Sequence, residues 1–285
     1  MSTAMSETRL FYWSVRRELW EYRSIYLAPL ALAGVFLLGF VFVLFLLPHT
    51  MRTLSSLDPA QQRKALAHPY DTAAGLIFMA AFIVSIFYSL DSLYGERRDR
   101  SILFWKSLPV SDLTAVLAKA SVPLIVLPLL AFAITVVTQS IMLLLSSVVL
   151  LASGLSVATL WTQLQLYQTL LGLLYHVVTI HMLWYAPIYA WLLLVSAWAR
   201  RMPFLWAVLP PIAIGVFEKI TLQSSHFVAL LEYRCCGESE AVDSMQGMHL
   251  TQGHFLSTPG LWTGLAFCAI CLAAAVWLRR YKEPI

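Results

Sequence analysis

The chain has 285 residues, of which 60% are hydrophobic and only 12% are charged, and its formal net charge is +4. Soluble domains contain about 25% charged residues, so this composition excludes an ordinary soluble fold. The four cysteines are too few for a disulfide framework, and their spacing is not typical of a zinc site. We therefore expect a membrane protein that has neither a disulfide framework nor a zinc site.

The N-terminal segment is charged and precedes the first apolar run. Phe11, Val15, Leu19 and Tyr22 recur at helical spacing on one face, with Arg16 beside them. This pattern predicts an amphipathic interfacial helix on the cytoplasmic surface of the membrane. A simple topology signal would explain the arginine but not the apolar stripe. No short apolar core with a small-residue cleavage site occurs near residue 20, so we expect no cleaved signal peptide.

Six apolar runs are long enough to cross a bilayer, because about 20 helical residues span its hydrocarbon core. The runs lack the alternation that a membrane β-barrel requires. We therefore predict an all-α membrane protein, a six-transmembrane-helix bundle that forms a single domain over residues 1–285. The predicted spans are 25–47, 72–88, 122–151, 176–199, 204–222 and 261–278.

Residues 152–175 fit this scheme least well, because glutamines interrupt a leucine-rich stretch. Two interpretations remain open for them. They either extend the third span on the outer side or form a helix that lies on the interface.

Lysine and arginine predict the orientation. With both termini in the cytoplasm, all but five of the 19 basic residues lie on the cytoplasmic side. Such a bias is typical of cytoplasmic loops. We therefore predict a multi-pass protein of the inner (plasma) membrane with an enlarged outer loop, residues 223–259, between the fifth and sixth spans. The five exceptions are Arg52, Arg63, Lys64, Lys219 and Arg234.

The cytoplasmic segment after the second span is charged at one end and apolar at the other. We predict a short helix from about 97 to 108, a break at Pro109, and a second helix that Ser111 caps at Asp112. Apolar side chains gain about 1.5–3 kcal/mol each on burial. Lengthwise insertion into a groove on another protein accommodates this pattern, and packing on the chain's own bundle is the alternative. The predicted docking residues are Glu96, Arg97, Arg98, Arg100, Ser101, Ile102, Leu103, Phe104, Trp105 and Leu108.

Motifs for catalysis are absent from the sequence. It contains no phosphate-binding loop, so the chain cannot hydrolyse ATP alone, and it contains no zinc-protease or serine-hydrolase motif. We expect a non-catalytic chain that binds no cofactor. Two alternatives remain open: a membrane-embedded enzyme that uses His176, His181 and Glu218, and a secondary transporter or scaffold. Weak candidates for a copper site, which we do not favour, are Met245, Met248, His249 and His254.

The stretch "LDSLYGERRDRSILFWKSLPVSDLTAVLAKA", residues 90–120, resembles the segment between the second and third spans of ABC-2 type permeases. In that family an acidic and basic cluster precedes a short coupling helix, and a lysine follows in the next span. The predicted N-terminal helix, the six spans and the large last outer loop agree with the family layout. The matching residues are Glu96, Arg97, Ser101, Leu108, Pro109, Val110, Ser111 and Lys119.

The resemblance implies a permease subunit of an ATP-driven ABC transporter, most of whose relatives are exporters. It implies a homodimer in the lipid bilayer that binds two copies of a separate ATPase subunit through the coupling helix. ATP and Mg would then be bound by that partner, and nucleic acid is not an expected partner. The resemblance further implies a cavity lined by the first, second and fifth spans of two copies, whose cargo the sequence does not identify.

Overall fold

The computed structural model describes residues 7–54, 58–107, 110–221, 223–236 and 258–281. Within these ranges the chain is helical and contains no β-strand. Six helical stretches are long and apolar enough to cross a membrane, which confirms the prediction of an all-α chain with six such helices. They are Ser24–Met51, Ala60–Arg98, Asp112–Ala152, Leu160–Trp184, Pro203–Thr221 and Pro259–Tyr281.

The helices follow one another with short connections. In chain order they are α1 (Glu7–Glu21), α2 (Ser24–Leu54), α3 (Pro59–Arg98), α4 (Ser101–Lys106), α5 (Asp112–Ser121), a π-helical segment (Val122–Val126), α6 (Leu127–Ala152), α7 (Ala158–Leu164), α8 (Leu166–His176), a second π-helical segment (Val177–Trp184), α9 (Ala186–Trp198), α10 (Pro203–Thr221), α11 (His226–Cys236) and α12 (Pro259–Tyr281).

The helix that contains the second span is much longer than the apolar run that predicts it. α3 has 40 residues, which corresponds to about 60 Å of helix, whereas the hydrocarbon core is about 30 Å thick. The predicted span 72–88 is its apolar centre, and the polar residues of both flanks continue the same helix. α2 likewise continues from the predicted end at residue 47 to Leu54.

The third span agrees with the prediction and ends cleanly. α5, the first π-helical segment and α6 form continuous helix from Asp112 to Ala152. Gly154 then adopts a φ of 70°, a left-handed conformation that ends the helix. Residues 152–175 therefore do not extend the third span. They form α7 and α8 instead, and Gln165, with a φ of 42°, separates these two short helices.

The fourth predicted span, 176–199, is not one uninterrupted helix, so its predicted bounds are wrong. α8 passes into the second π-helical segment, and Tyr185 then interrupts the helix before α9 begins. Pro187 lies in the first turn of α9, where its missing amide donor is tolerated but where it cannot continue an earlier helix. By length and hydropathy the spanning stretch is Leu160–Trp184, and Ala186–Trp198 is a shorter apolar helix.

The chain divides into two compact units. The first takes its described residues from 1–22, 85–126 and 178–285, and the second from 23–84 and 127–177. Each unit combines separate stretches of the chain, so no single cut yields two consecutive domains. The single domain over residues 1–285 stays a prediction.

The core of the first unit is built around α9, most of whose side chains are buried. Leu193 and Ala197 pack against Leu93, Val116 and Ala275, which come from α3, α5 and α12. Small residues at such contacts let helix backbones approach closely without a loss of packing. α9 is therefore the helix against which the other elements of this unit are placed.

The second unit has a separate apolar core. Phe40 of α2, Tyr70 of α3, Met142 of α6 and Leu160 of α7 are all buried in it. Gln139 donates a hydrogen bond of 3.1 Å from Nε2 to the carbonyl oxygen of Tyr70, which adds a polar tie between α3 and α6. Leu160 and Leu164 of α7 thus pack on the chain itself, whereas Trp161 is exposed.

Candidate functional site

The predicted docking helix is shorter than expected. α3 continues through Arg98, and Arg100 then adopts a φ of 56°, so α4 begins only at Ser101. The prediction of one helix over 97–108 is therefore wrong in its start, because a left-handed residue cannot continue a right-handed helix. Leu108 and Pro109 lie outside the described residues. Ser111 does cap α5 as predicted, since its Oγ accepts a 3.1 Å hydrogen bond from the amide of Thr114.

The predicted docking residues divide into an inward and an outward set. Glu96, Arg97 and Ile102 are buried, so they are not available to another protein in this structure. Phe104 is 61% exposed. The outward charged residues are Arg98 and Arg100, whereas Ser101 and Trp105 are half-buried and the side chain of Leu103 is not described.

A cluster of six charged side chains, four buried and two partly buried, lies in the first unit, and we call it the charge network. Its members are Arg17, Glu18, Glu96, Asp112, Lys119 and Arg279. Lys119 is at its centre: its Nζ lies 2.9 Å from Glu18 Oε1 and 3.2 Å from Glu96 Oε1. The side chains of these three residues are at most 3% exposed, so water screens their attraction very little.

Two arginines complete the charge network. Arg279 Nη1 donates to Glu96 Oε2 at 2.6 Å, and its Nε donates to Asp112 Oδ1 at 3.1 Å. Arg17 Nη2 donates to Glu96 Oε1 at 2.9 Å. Burial by itself lowers the pKa of Arg17, but the carboxylates of Glu18 and Glu96 raise that pKa above its ordinary value.

The charge network joins four helices that are far apart in the sequence. Glu18 belongs to α1, Glu96 to α3, Lys119 to α5 and Arg279 to α12. Tyr88 adds a 2.9 Å hydrogen bond from its hydroxyl to Glu18 Oε2. Removal of one partner from such a buried pair typically costs about 3–5 kcal/mol, because a charge is left without compensation. The four helix ends are thus tied together by electrostatics as well as by packing.

α4 is attached to this network through an aromatic ring. The guanidinium carbon of Arg17 lies 3.9 Å from the centre of the Trp105 ring, a cation–π contact. Trp105 in turn makes an edge-to-face contact with Phe104, with ring centres 5.0 Å apart. An exposed aromatic side chain is therefore two contacts away from the buried charges.

Arg97 forms a second tie, between α3 and α9. Its Nη2 donates to the carbonyl oxygens of Ser196 at 2.8 Å and Ala199 at 2.6 Å. Ser196 Oγ accepts hydrogen bonds from the backbone amides of Leu93 and Tyr94. A cation at these carbonyls suits the negative end of the α9 dipole. Arg97 therefore has a positioning role within the chain.

The predicted N-terminal helix is present, but part of the face that we predicted to contact lipid packs against the chain itself. The Tyr22 hydroxyl donates to Asp91 at 3.1 Å, and its ring packs edge-to-face on Tyr88. Burial, followed by the charge of Asp91, raises the pKa of Tyr22. Phe11, Val15 and Leu19 are likewise only partly exposed.

The exposed aromatic face of α1 lies elsewhere on the helix. Trp13 and Trp20 are exposed, and the guanidinium of Arg16 lies 5.0 Å and 4.8 Å from the centres of these two rings. Tyr12 is exposed on the same helix. Periodicity alone could not distinguish the two faces, since both contain aromatic residues. If α1 lies on a membrane, these rings are the ones suited to its interface.

Of the residues of the enzyme alternative, Glu218 has a structural role. Glu218 accepts hydrogen bonds from the amides of His226 and Phe227, so it caps the start of α11. His181 is buried with its ring edge-to-face on Tyr185, whereas His176 is half-buried. In the part of the chain that the structure describes, no three His, Cys, Asp or Glu side chains are grouped as a metal site would require. The copper candidates Met245, Met248, His249 and His254 lie outside that part.

Sequence reasoning missed the core of the site. Arg17, Glu18 and Arg279 counted only as charges of cytoplasmic segments, and Lys119 only as part of a motif. One signal was available: an isolated lysine at the start of an apolar run is costly to bury and so requires an acidic partner. Comparison with protein-family models, with curated proteins and with solved structures finds no match.

Proposed function

We propose that the chain is the permease subunit of an ATP-driven ABC transporter of the ABC-2 type, working as an exporter. It acts as a homodimer in the inner (plasma) membrane, with both termini in the cytoplasm. Two copies of a separate ATPase subunit bind ATP and Mg and dock on α4. The permease itself is not catalytic.

The surface of α4 supports this proposal. Phe104 is exposed in a helix too short to have a core of its own, and the exposed cation Arg98 ends the preceding helix, α3. An aromatic anchor with arginines around it is a common arrangement at protein interfaces. The stretch from 90 to 120 carries the family motif, so sequence and exposure indicate the same segment.

The contact between Arg17 and Trp105 is the observation that carries the proposal. A docking helix is useful to a transporter only if its movement reaches the spanning helices. Here the guanidinium carbon of Arg17 lies 3.9 Å from the centre of the Trp105 ring, and Arg17 also donates a hydrogen bond to Glu96 at the end of α3. A displacement of α4 would therefore be transmitted to α1 and α3 through these two contacts.

The proposed mechanism follows from these contacts. ATP binding brings the two ATPase subunits together and moves the docked α4 helices with them. The charge network keeps the ends of α1, α3, α5 and α12 in a fixed arrangement, so they respond as one body. Coupling requires an element with two arrangements that both sites can bias, and α4 with its network is our candidate for that element.

Glu218 weighs against the enzyme alternative. Its two carboxylate oxygens accept hydrogen bonds from Ser224 Oγ and from two backbone amides. A carboxylate held by three donors is a poor general base, because these hydrogen bonds stabilise its charged form.

The test uses the tagged full chain, purified from its native membrane in detergent. We expect an ATPase with a phosphate-binding loop to co-purify and to hydrolyse ATP. Phe104→Ala should lower the amount of bound ATPase by about thirtyfold or more, since an interface anchor contributes roughly 2 kcal/mol or more. The matched control is Phe45→Ala, which removes an even more exposed ring, from α2.

The outcomes separate the alternatives. Equal loss with both substitutions would indicate a general effect of removing a surface ring. Retention of the ATPase by the Phe104→Ala chain would contradict docking through α4. Purification without any ATPase would favour a secondary transporter or scaffold.

A further inference from the structure

Two short loops of the first unit are fixed side by side. Residues 99–100 connect α3 to α4, and residues 199–202 connect α9 to α10. Arg97, in the last turn of α3, donates a 2.6 Å hydrogen bond to the carbonyl oxygen of Ala199, the first residue of the second loop. Arg100 and Met202 both have positive φ, 56° and 49°, so each loop turns sharply at a fixed point.

This arrangement gathers exposed arginines that are a hundred residues apart in the sequence. Arg98 ends α3 and Arg100 lies in the first loop, whereas Arg200 and Arg201 lie in the second loop. Arg98 is paired with Asp99 at 2.9 Å. No ion pair among the described residues involves the other three. We call Arg100, Arg200 and Arg201 the arginine patch, whose positive charge has no ion-pair partner in the part of the chain that the structure describes.

Aromatic and apolar side chains flank the second loop. Trp198, the last residue of α9, makes an edge-to-face contact with Trp206 in α10, with ring centres 4.7 Å apart, and both are close to half-exposed. Met202 and Phe204, next to the loop, are also exposed. Tryptophans concentrate where the hydrocarbon core meets the lipid headgroups. The pair therefore indicates that this loop lies at headgroup depth.

We propose that the arginine patch binds the phosphate groups of anionic lipid headgroups. The loop between α9 and α10 is only four residues long, so Arg200 and Arg201 cannot lie far from the ends of two apolar helices. Arginine presents a planar fork of donors that matches phosphate oxygens in pairs. The arginines hold the phosphate, and the tryptophans and Phe204 contact the adjacent glycerol and acyl region.

A lipid fits this surface better than an acidic protein does. An acidic partner would have to cover exposed apolar side chains that a bilayer covers without further contacts. Free phosphate lacks the apolar part for which Trp198, Trp206 and Phe204 are suited. This inference does not depend on an ATPase partner, so its failure and that of the proposed function are distinguishable.

The test measures lipid binding to the purified full chain in neutral detergent by native mass spectrometry. We expect phosphatidylglycerol to bind more tightly than phosphatidylcholine. Each basic residue near a membrane surface contributes about fivefold to binding, so the double variant Arg200→Gln with Arg201→Gln should bind phosphatidylglycerol about 25-fold more weakly. Its affinity for phosphatidylcholine should be unchanged.

A matched control removes two adjacent cations elsewhere. Arg63→Gln with Lys64→Gln lowers the net charge by the same amount, near the start of α3, and we expect this variant to bind phosphatidylglycerol as the wild type does. Arg200→Lys with Arg201→Lys keeps the charge but loses the paired donors, so we expect an intermediate affinity. Arg100→Gln alone should weaken binding about fivefold.

Three results would overturn the proposal. The first is equal binding of phosphatidylglycerol by the wild-type chain and the double glutamine variant. The second is an equal loss in the Arg63 and Lys64 control. The third is displacement of the lipid by excess inorganic phosphate, which would assign the patch to a free anion. If the double glutamine variant does not elute as a folded protein, the lysine and Arg100→Gln variants decide, and wild-type binding in both rejects the proposal.

Discussion

Replacement of Lys119 by methionine should destabilise the chain strongly. Methionine has a similar length, but it leaves the carboxylates of Glu18 and Glu96 without the ammonium group that bridges them at 2.9 Å and 3.2 Å. Both carboxylates are almost fully buried, so the expected loss is the full cost of a broken buried pair, about 3–5 kcal/mol. On the scale of domains of 150–250 residues, this lowers the midpoint of thermal unfolding by roughly 6–20 °C.

The assay is thermal unfolding of the detergent-solubilised chain, followed by fluorescence-detected gel filtration. Lys64→Met is the control, because Lys64 is exposed and lies in α3 away from the charge network. Adding Glu18→Gln to Lys119→Met should restore part of the stability, since it again equalises the cations and carboxylates of the charge network. A Lys119→Met chain that unfolds within about 2 °C of the wild type would refute the reasoning, because such a shift corresponds to no more than about 1 kcal/mol.

Three further outcomes are expected. Gly264→Ala should lower the unfolding temperature, because its new methyl group would push the guanidinium of Arg234 away from the carbonyl oxygen of Gly260, to which it donates, whereas Gly39→Ala in open space should be neutral or stabilising when measured in the same way. Glu218→Gln should speed hydrogen exchange at the first amides of α11, and unchanged exchange by mass spectrometry would contradict its capping role. Ser111→Ala should cost about 1 kcal/mol in chemical unfolding, and Ser111→Asp should retain most of that stability, since aspartate also caps helices well.

The sequence was sufficient to predict all but one of the membrane-spanning helices, because a long apolar run is a local signal. A run of apolar residues as long as a bilayer is thick must become a helix, since lipid offers no hydrogen-bond partners to the backbone. The capped start of α5 was predictable for the same reason, as Ser111 and Thr114 are neighbours in the chain. The fourth span was not, because the break at Tyr185 depends on whether Pro187 ends one helix or begins another.

The candidate site could not be predicted, because its contacts connect distant residues. Lys119 and Glu18 are 101 residues apart, and Arg279 and Glu96 are 183 apart. A charged residue in a short loop gives no indication of which side faces the protein. Glu96 and Arg97 turned inward and Arg98 turned outward, although all three read alike in the sequence.

The position of Arg279 has a consequence for biogenesis. Glu96 and Asp112 leave the ribosome long before α12 is made, so both carboxylates must wait for their guanidinium partner during membrane insertion. In a nascent chain halted before residue 259, Glu96 can already pair with Lys119 and Arg17, whereas Asp112 still lacks the guanidinium of Arg279. Arg279 is the last of the three cations of the charge network to be synthesised, so the network is complete only once α12 has been made.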